Sequence, residues 1–215
     1  MAELIDPAAD AYATEHTTAF EGAIAAAAAW TRENKRSPEM MAGLAEARLL
    51  EALAVATGAR RVLELGTFTG VGALALAASL APDGRVTTIE VDPTNAEVAR
   101  RHIEASPYAN RIELLVGDAR ELLEGLEGPY DLVWMDAWKS DYPAYWDLLV
   151  PMLAVDGMIA ADNLFWDGAA LDPMVTDPST VAIREFARRV QDDPRVHNVL
   201  LTIGDGVMLA WRSGI

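Results

Sequence analysis

Residues Arg61–Gly72 read RVLELGTFTGVG, and this stretch decides the fold. Arg61–Leu65 is a short apolar run of strand length. Gly66, Gly70 and Gly72 follow it in a tight turn. A helical pattern then runs over Val71–Leu80. The same alternation continues downstream. Arg85–Val91 (RVTTIEV), Arg111–Val116, Asp131–Met135 (DLVWM) and Gly157–Ala161 (GMIAA) read as strands. Asp92-Pro93 opens a helix to about Ala105, and further helices are expected at Tyr142–Leu149 and Pro178–Gln191. Val196–Ile203 and Val207–Arg212 flank Gly204-Asp205-Gly206 as an antiparallel hairpin. Alternation of this kind predicts an α/β fold with a doubly wound, mostly parallel sheet.

Upstream, the first 57 residues carry helical patterns only. One helix is expected from Asp6-Pro7 to Trp30, then a polar break at Thr31–Lys35. Ser37-Pro38-Glu39 reads as N-cap, first-position proline and first-turn acid of a second helix ending near Gly58. No linker or repeat interrupts the chain. A single domain over 1–215 is expected, with 1–57 as a helical cap and 58–215 as the α/β core.

The composition narrows the function classes. The chain has 215 residues, 52% hydrophobic and 23% charged, a globular balance. The absence of cysteine excludes disulfide frameworks, zinc thiolates and thiol nucleophiles. The net charge of −16 disfavours nucleic acid and anionic membranes as partners. Only Lys35 and Lys139 are lysines, against 15 arginines, a usage that resembles that of high-GC bacteria. The alanine tract Ala25–Trp30 is far too short for a membrane span. Met1–Asp6 carries acid where a secretory signal carries base, so a cytoplasmic location is expected.

In a doubly wound sheet, ligands bind beyond the carboxyl ends of the strands. Those ends here carry Glu64 and Gly66, Glu90, Gly117-Asp118-Ala119, Asp136, and Asp162-Asn163. Desolvating so many carboxylates without partners costs several kcal/mol each, so their convergence favours a site. A glycine turn with an acid 24 residues on, Gly66 to Glu90, has the logic of a nucleoside site. The spacing is not that of a pyrophosphate-binding loop. Acids around the glycines suit a cationic ligand, and S-adenosylmethionine (SAM) fits that description. Asp136, Asp162 and Asn163 are hard oxygen donors, suited to a magnesium- or calcium-type cation. For Asp162-Asn163 an ordinary turn after a strand is the competing reading.

These residues resemble a known family. Glu64–Gly70 (ELGTFTG), Glu90-Val91-Asp92, Gly117-Asp118-Ala119, Met135–Tyr142 (MDAWKSDY), Ala161-Asp162-Asn163 and Gly204-Asp205-Gly206 occur in the order found in cation-dependent class I O-methyltransferases, the caffeoyl-CoA and catechol O-methyltransferases and their bacterial relatives. The resemblance spans about Met40 to Trp211. It implies the Rossmann-like class I methyltransferase fold, with seven strands, an antiparallel C-terminal hairpin and N-terminal helices.

The resemblance also implies roles. Glu64, Gly66 and Thr67 line the methionine and ribose parts of SAM. Gly72 stands where the family usually has a serine that contacts the cofactor carboxylate. Met41 and Ala42 match a segment closing over the cofactor, where relatives often carry a hydroxyl residue at the Ala42 position. Glu90, followed by Val91, matches the ribose-binding acid, and Asp118 and Ala119 the adenine turn. Asp136, Asp162 and Asn163 match the ligands of Mg2+ (or Ca2+/Mn2+), with Asp136 also beside the cofactor. Lys139 matches the lysine beside the reacting hydroxyl. Trp138, expected beside the cofactor, is shared with the animal catechol branch, and Trp166 matches a position at the aromatic acceptor. Trp30, Trp134, Trp146 and Trp211 read as core or interface packing, and His16, His102 and His197 as structural.

The activity implied is metal-assisted methylation of one hydroxyl of a catechol-type small molecule, in bacterial secondary metabolism, by a homodimer. A phenol of pKa ~10 is a poor nucleophile until chelation acidifies it. Lys139, in its neutral form, then takes the proton. The alternatives are a tRNA-modifying methyltransferase and a non-catalytic SAM-binding module.

Overall fold

The computed structural model describes residues 6–212, so the acidic start Met1–Ile5 lies outside the described residues. Its elements in chain order are α1 (Pro7–Glu15), α2 (Gly22–Asn34), α3 (Leu44–Thr57), β1 (Arg61–Leu65), α4 (Val71–Ser79), β2 (Arg85–Glu90), α5 (Pro93–Glu104), β3 (Ile112–Val116), α6 (Ala119–Leu123), β4 (Tyr130–Met135), α7 (Tyr142–Leu149), β5 (Leu153–Ala161), α8 (Pro178–Asp192), β6 (Val196–Leu201) and β7 (Val207–Arg212). The seven strands form one sheet in the order β3-β2-β1-β4-β5-β7-β6. β7 runs antiparallel to both neighbours and the other pairings are parallel. The expected doubly wound sheet and C-terminal hairpin are therefore present. No helix among the described residues is long and apolar enough to cross a membrane.

The sheet is covered on both faces, which is why its central strands are apolar runs rather than alternating ones. Side chains still divide by the period of two. Val62, Val86, Leu132, Trp134 and Ala160 pack on one face with α2, α3 and α4. Leu63, Leu65, Ile89, Val133, Met135, Ile159 and Ala161 pack on the other with α7 and α8. α4 is buried from Val71 to Ala77, as expected of a helix apolar all round. α8 instead buries one stripe, with Ile183, Phe186 and Val190 at helical spacing. Its start is fixed by Asp177, which accepts from the Thr180 amide and hydroxyl at 3.1 and 2.5 Å. Asp92 caps α5 in the same way, accepting from the Thr94 amide at 2.8 Å.

The N-terminal region departs from the sequence reading. The single helix expected up to Trp30 is two helices. Arg48 on α3 donates to the carbonyls of Thr18 and Ala19 at 2.9 and 2.7 Å, holding the link between them in a non-helical path. Thr31–Asn34 is not a break but the last turn of α2. The Thr31 hydroxyl is buried there, 2.7 Å from the Ala27 carbonyl oxygen and 2.8 Å from Thr69 Oγ1. Ser37 makes no side-chain cap, and Pro38–Met40 is only a 3-10 turn. α3 starts at Leu44, because Glu46 reaches back to accept from the Gly43 amide at 2.8 Å. Gly58 ends it at φ 62°, as expected. β5 begins four residues earlier than the apolar run, at Leu153, and Asp156 takes φ 65° at the irregularity. The short α6, capped by Asp118, went unread.

The chain lays down β1 at the centre, builds outward to β3, then returns to place β4 on the other flank of β1. The switch point therefore lies between the ends of β1 and β4, where a cleft is expected. Gly66 sits there at φ 95°, and a Cβ on it would stand 1.9 Å from the carbonyl oxygen of Asp136. The Asp136 amide donates to the Leu65 carbonyl at 2.9 Å, and the Gly66 amide to the Ile89 carbonyl at 2.9 Å. Gly66→Ala is expected to destabilise the fold by roughly 3 kcal/mol or more, since both the backbone contact and the positive φ oppose a side chain. Urea unfolding measures this, and a loss under about 1 kcal/mol would contradict the tight crossing.

Candidate active site

At the switch point lies a cleft bounded by Met41, Ala42, Glu64, Gly66, Thr67, Gly72 and Asp136. All seven were singled out from the sequence. Met40, Phe68, Thr69, Val71 and Trp134 complete the lining. Trp134 thus serves as core and as cleft wall. Glu90 closes the β2 end without lining the cleft. Its carboxylate accepts from the Phe68 amide at 2.6 Å and the Asp92 amide at 2.9 Å, which fixes the glycine turn over β2. Burial raises the Glu90 carboxyl above its ordinary range. Asp118 and Ala119 follow β3, tied in by the Gly117 amide, which donates to the Glu90 carbonyl at 2.9 Å. Val91 is exposed between them. The structure therefore brings the predicted nucleoside residues to one edge, but only part of them into the cleft.

Glu64 is the most constrained carboxyl in the cleft. It is 1% exposed. Thr88 donates to its Oε2 at 2.5 Å, and Thr67 Oγ1 lies 2.5 Å from Thr88 Oγ1. Burial pushes this carboxyl up to about 8, the Thr88 bond opposes the shift, and Asp136 and Glu90 add to it.

Beyond the cleft, β4 and β5 pair with Met135 opposite Ala161. The next residues, Asp136 and Asp162, therefore leave the sheet side by side, and the Asp162 amide donates to the Met135 carbonyl at 3.0 Å. Asn163 follows at φ 59° and donates its amide to Asp162 Oδ1 at 2.7 Å. Burial, then Glu46 and Asp136, push the Asp162 carboxyl well above the carboxylate range, against an opposing effect of Lys139. Lys139 is buried and donates to Asp136 Oδ1 at 2.6 Å and to the Tyr142 hydroxyl at 2.9 Å. That hydroxyl lies 3.0 Å from both the Met135 and Asp162 carbonyl oxygens. Burial holds the Tyr142 phenol protonated far above its usual range. Among the described residues no three His, Cys, Asp or Glu side chains form a metal cluster. The set here is two carboxylates and one carboxamide.

The loop after β5 frames the far side. Trp166 and Asp167 both take φ 51°, left-handed values that surrounding contacts must hold. The Phe165 and Asp167 amides donate to Asp205, to its carbonyl at 2.8 Å and its carboxylate at 3.0 Å. Arg184 on α8 donates to the carbonyls of Ala169, Ala170, Asp172 and Val175. Trp138 is 66% exposed beside Lys139 and does not reach the cleft lining.

Sequence reasoning missed Tyr142, Glu46, Thr88 and Arg184. Tyr142 stood three residues after Lys139 in the quoted motif, and that spacing on a helical turn was its available signal. Nothing local marked the other three. A wider open groove, between α7 and α8, shares no lining residue with the cleft. Its charges are already paired, as Arg189 with Asp147 and Glu185.

Glu64 yields a stability prediction. Its folded pKa lies above the unfolded value, so unfolding releases a proton between pH 4.5 and about 8, and stability falls as pH rises through that window. In chelator and without cofactor, Glu64→Gln is expected to gain stability over the parent across the window, on the order of 4 kcal/mol at its fullest. Thermal melts at pH 5 and pH 8 test it, and a constant difference would contradict the buried neutral carboxyl.

Comparison with known proteins agrees with this geometry. The O-methyltransferase family matches residues 15–213. A Mycolicibacterium vanbaalenii protein named as an O-methyltransferase is 37% identical over 93% of this chain and 88% of its own. Rice tricin synthase 1 is 33% identical over 80% and 75%. The O-methyltransferase TomG of Streptomyces achromogenes, solved with SAM and involved in tomaymycin synthesis, superposes with a TM-score of 0.88 at 30% identity, covering 96% of both chains. A Bacillus cereus O-methyltransferase solved with S-adenosylhomocysteine (SAH) gives 0.88 at 27% identity over 96% and 97%. The glycine turn, the acid-lined cleft and these relatives together establish that the chain belongs to the O-methyltransferase family, as a SAM-dependent class I enzyme.

Proposed function

We propose that this enzyme methylates one hydroxyl of an ortho-dihydroxy aromatic small molecule, with a divalent cation held by Asp136, Asp162 and Asn163. One observation carries the reading. Asp136 and Asp162 emerge side by side from paired strands, with Asn163 and Lys139 adjoining, immediately beside the cofactor cleft. The donor set fits such a cation, since all three donors are hard oxygens and no thiolate or imidazole competes. Asp162 is buried among acids, an environment that a cation relieves. When bound, the cation supplies Lewis acidity that lowers the pKa of a chelated phenol from ~10.

The chain's own residues do the rest. Lys139, in its neutral form, accepts the acceptor hydroxyl's proton at Nζ. The Tyr142 hydroxyl then accepts a hydrogen bond from the ammonium, and Asp136 balances its charge. Tyr142 stays protonated throughout, so it positions Nζ without competing for the proton. Trp138, exposed next to Lys139 in the chain, and Trp166, on the loop after β5, supply the aromatic surface for a planar acceptor in this reading. The Arg184 clamp keeps the Trp166 loop from relaxing. With its proton gone, the oxygen attacks the methyl carbon and the sulfur leaves with its bonding pair.

The kinship with a Streptomyces protein involved in tomaymycin synthesis supports an acceptor from bacterial secondary metabolism. The −16 charge supports a small molecule over RNA. None of the α1 residues is buried in the single chain, and Tyr12 is 65% exposed. This supports a homodimer built on the N-terminal helices.

Methyl transfer to a panel of catechols, with magnesium and with excess EDTA, tests the reading. Transfer is expected with magnesium and lost with chelator, and activity surviving EDTA would remove the cation. Lys139→Ala is expected to lower kcat by about 10²–10⁴-fold while SAH affinity stays within about twofold. Equal loss of both would contradict Lys139 as the base.

A further inference from the structure

The turn Gly204-Asp205-Gly206 holds more than the two strands it joins. It is the template for the loop that follows Asn163. The Leu164 amide donates to the Gly206 carbonyl at 2.9 Å, and the Phe165 amide to the Asp205 carbonyl at 2.8 Å. The Phe165 ring lies so close to Gly206 that a Cβ there would stand 2.7 Å from it. The Asp205 carboxylate then receives the Asp167 amide in a forked bond, 3.0 Å to Oδ1 and 3.1 Å to Oδ2. Glu46 of α3 packs against the same turn, with Oε1 2.1 Å from where a Cβ on Gly204 would stand. The turn is thus wedged between α3 and the loop, and cannot simply follow the loop if it moves.

The loop it holds is curled against local preference. Asn163, Trp166, Asp167 and Gly168 take φ of 59°, 51°, 51° and 83°. A tryptophan in the left-handed region is an outlier that tertiary contacts must hold, and such outliers cluster where side chains are aimed for function. The bond that fixes Asp167 has its own cost, because Asp205 and Asp167 are both acids and repel. Lys139 also acts electrostatically on the Asp205 carboxyl. The turn therefore stands within reach of the lysine, and the curled loop is held at that end of the site.

Building on the acceptor reading above, we propose that Asp205 is a positioning residue for acceptor binding: by accepting the Asp167 amide it fixes Trp166 in its left-handed conformation, and so sets the wall that an aromatic acceptor meets beside Lys139. Asp205 acts through the loop. Neither the turn nor the loop lines the cofactor cleft, so cofactor affinity does not depend on it. The bond needs an acceptor oxygen and not a charge. A carboxamide at 205 serves equally, without the repulsion from Asp167.

The test compares the parent, Asp205→Ala and Asp205→Asn, with catechol as acceptor and magnesium present. The six tryptophans are labelled as 5-fluorotryptophan, and the Trp166 fluorine signal is assigned by its loss in Trp166→Phe. In Asp205→Ala the Trp166 signal is expected to move while those of the core residues Trp134 and Trp146 stay. The KM for catechol is expected to rise about fivefold or more, with kcat within about threefold and SAH affinity within about twofold. Asp205→Asn is expected to restore both the signal and the KM. If Asp205→Ala does not fold, Asp205→Ser, which shortens the side chain and removes the forked bond, carries the same comparison. An unmoved Trp166 signal overturns the proposal, and so does a moved signal with unchanged KM. Asp205→Asn as impaired as Asp205→Ala also overturns it, since the charge and not the bond would then matter. A parent that leaves catechol unmethylated, with SAH still bound, would instead remove the acceptor reading on which the proposal rests.

Discussion

The crossing of Gly66 over the Asp136 carbonyl is the constraint on which the rest depends. It brings the ends of β1 and β4 to a separation that only a residue without a Cβ permits. On the β1 side, this closeness forms the cofactor cleft. On the β4 side, it aims Asp136 and then Lys139 at the same point. The hydrogen bonds from Asp136 to Leu65 and from Gly66 to Ile89 lock three strand ends together. The cofactor cleft and the Asp136–Lys139 pair therefore share one rigid corner of the sheet.

That corner is electrostatically costly. Glu64, Glu90 and Asp162 are all buried, and their carboxyls are all raised by burial. Around Asp162, Lys139 and the hydrogen bond from the Asn163 amide oppose that rise. A fold selected for stability alone would place apolar residues at these strand ends. The carboxyls instead hold an acidic environment suited to cationic groups. Strain follows the same distribution. Among the described residues, Phe68, Asn163, Trp166 and Asp167 take positive φ on the loops around the site, and Asp156 does so apart from it, at the irregularity in β5. Hydrogen bonds accepted by Glu90 and Asp205 and donated by Arg184 hold those loops in place.

The sequence by itself determined the sheet and its edge. Strand-length apolar runs between helical patterns are a local signal, and β1, α7 and β7 stand at the residues the pattern marked. The acids and glycines at the strand ends were equally legible, because chain order alone sends each one to the carboxyl edge. What failed was local structure set by distant partners. Arg48 broke the N-terminal helix by binding Thr18 and Ala19, and Thr69 kept Thr31 helical, across separations no periodicity reveals. The site's second layer failed for the same reason. Tyr142 meets Lys139 and Asp162 only because α7 folds back onto β4 and β5, and Arg184 meets its carbonyls only because α8 docks beside them. Residue type and order are carried by the chain, whereas the partners that orient a side chain exist only once the elements have packed.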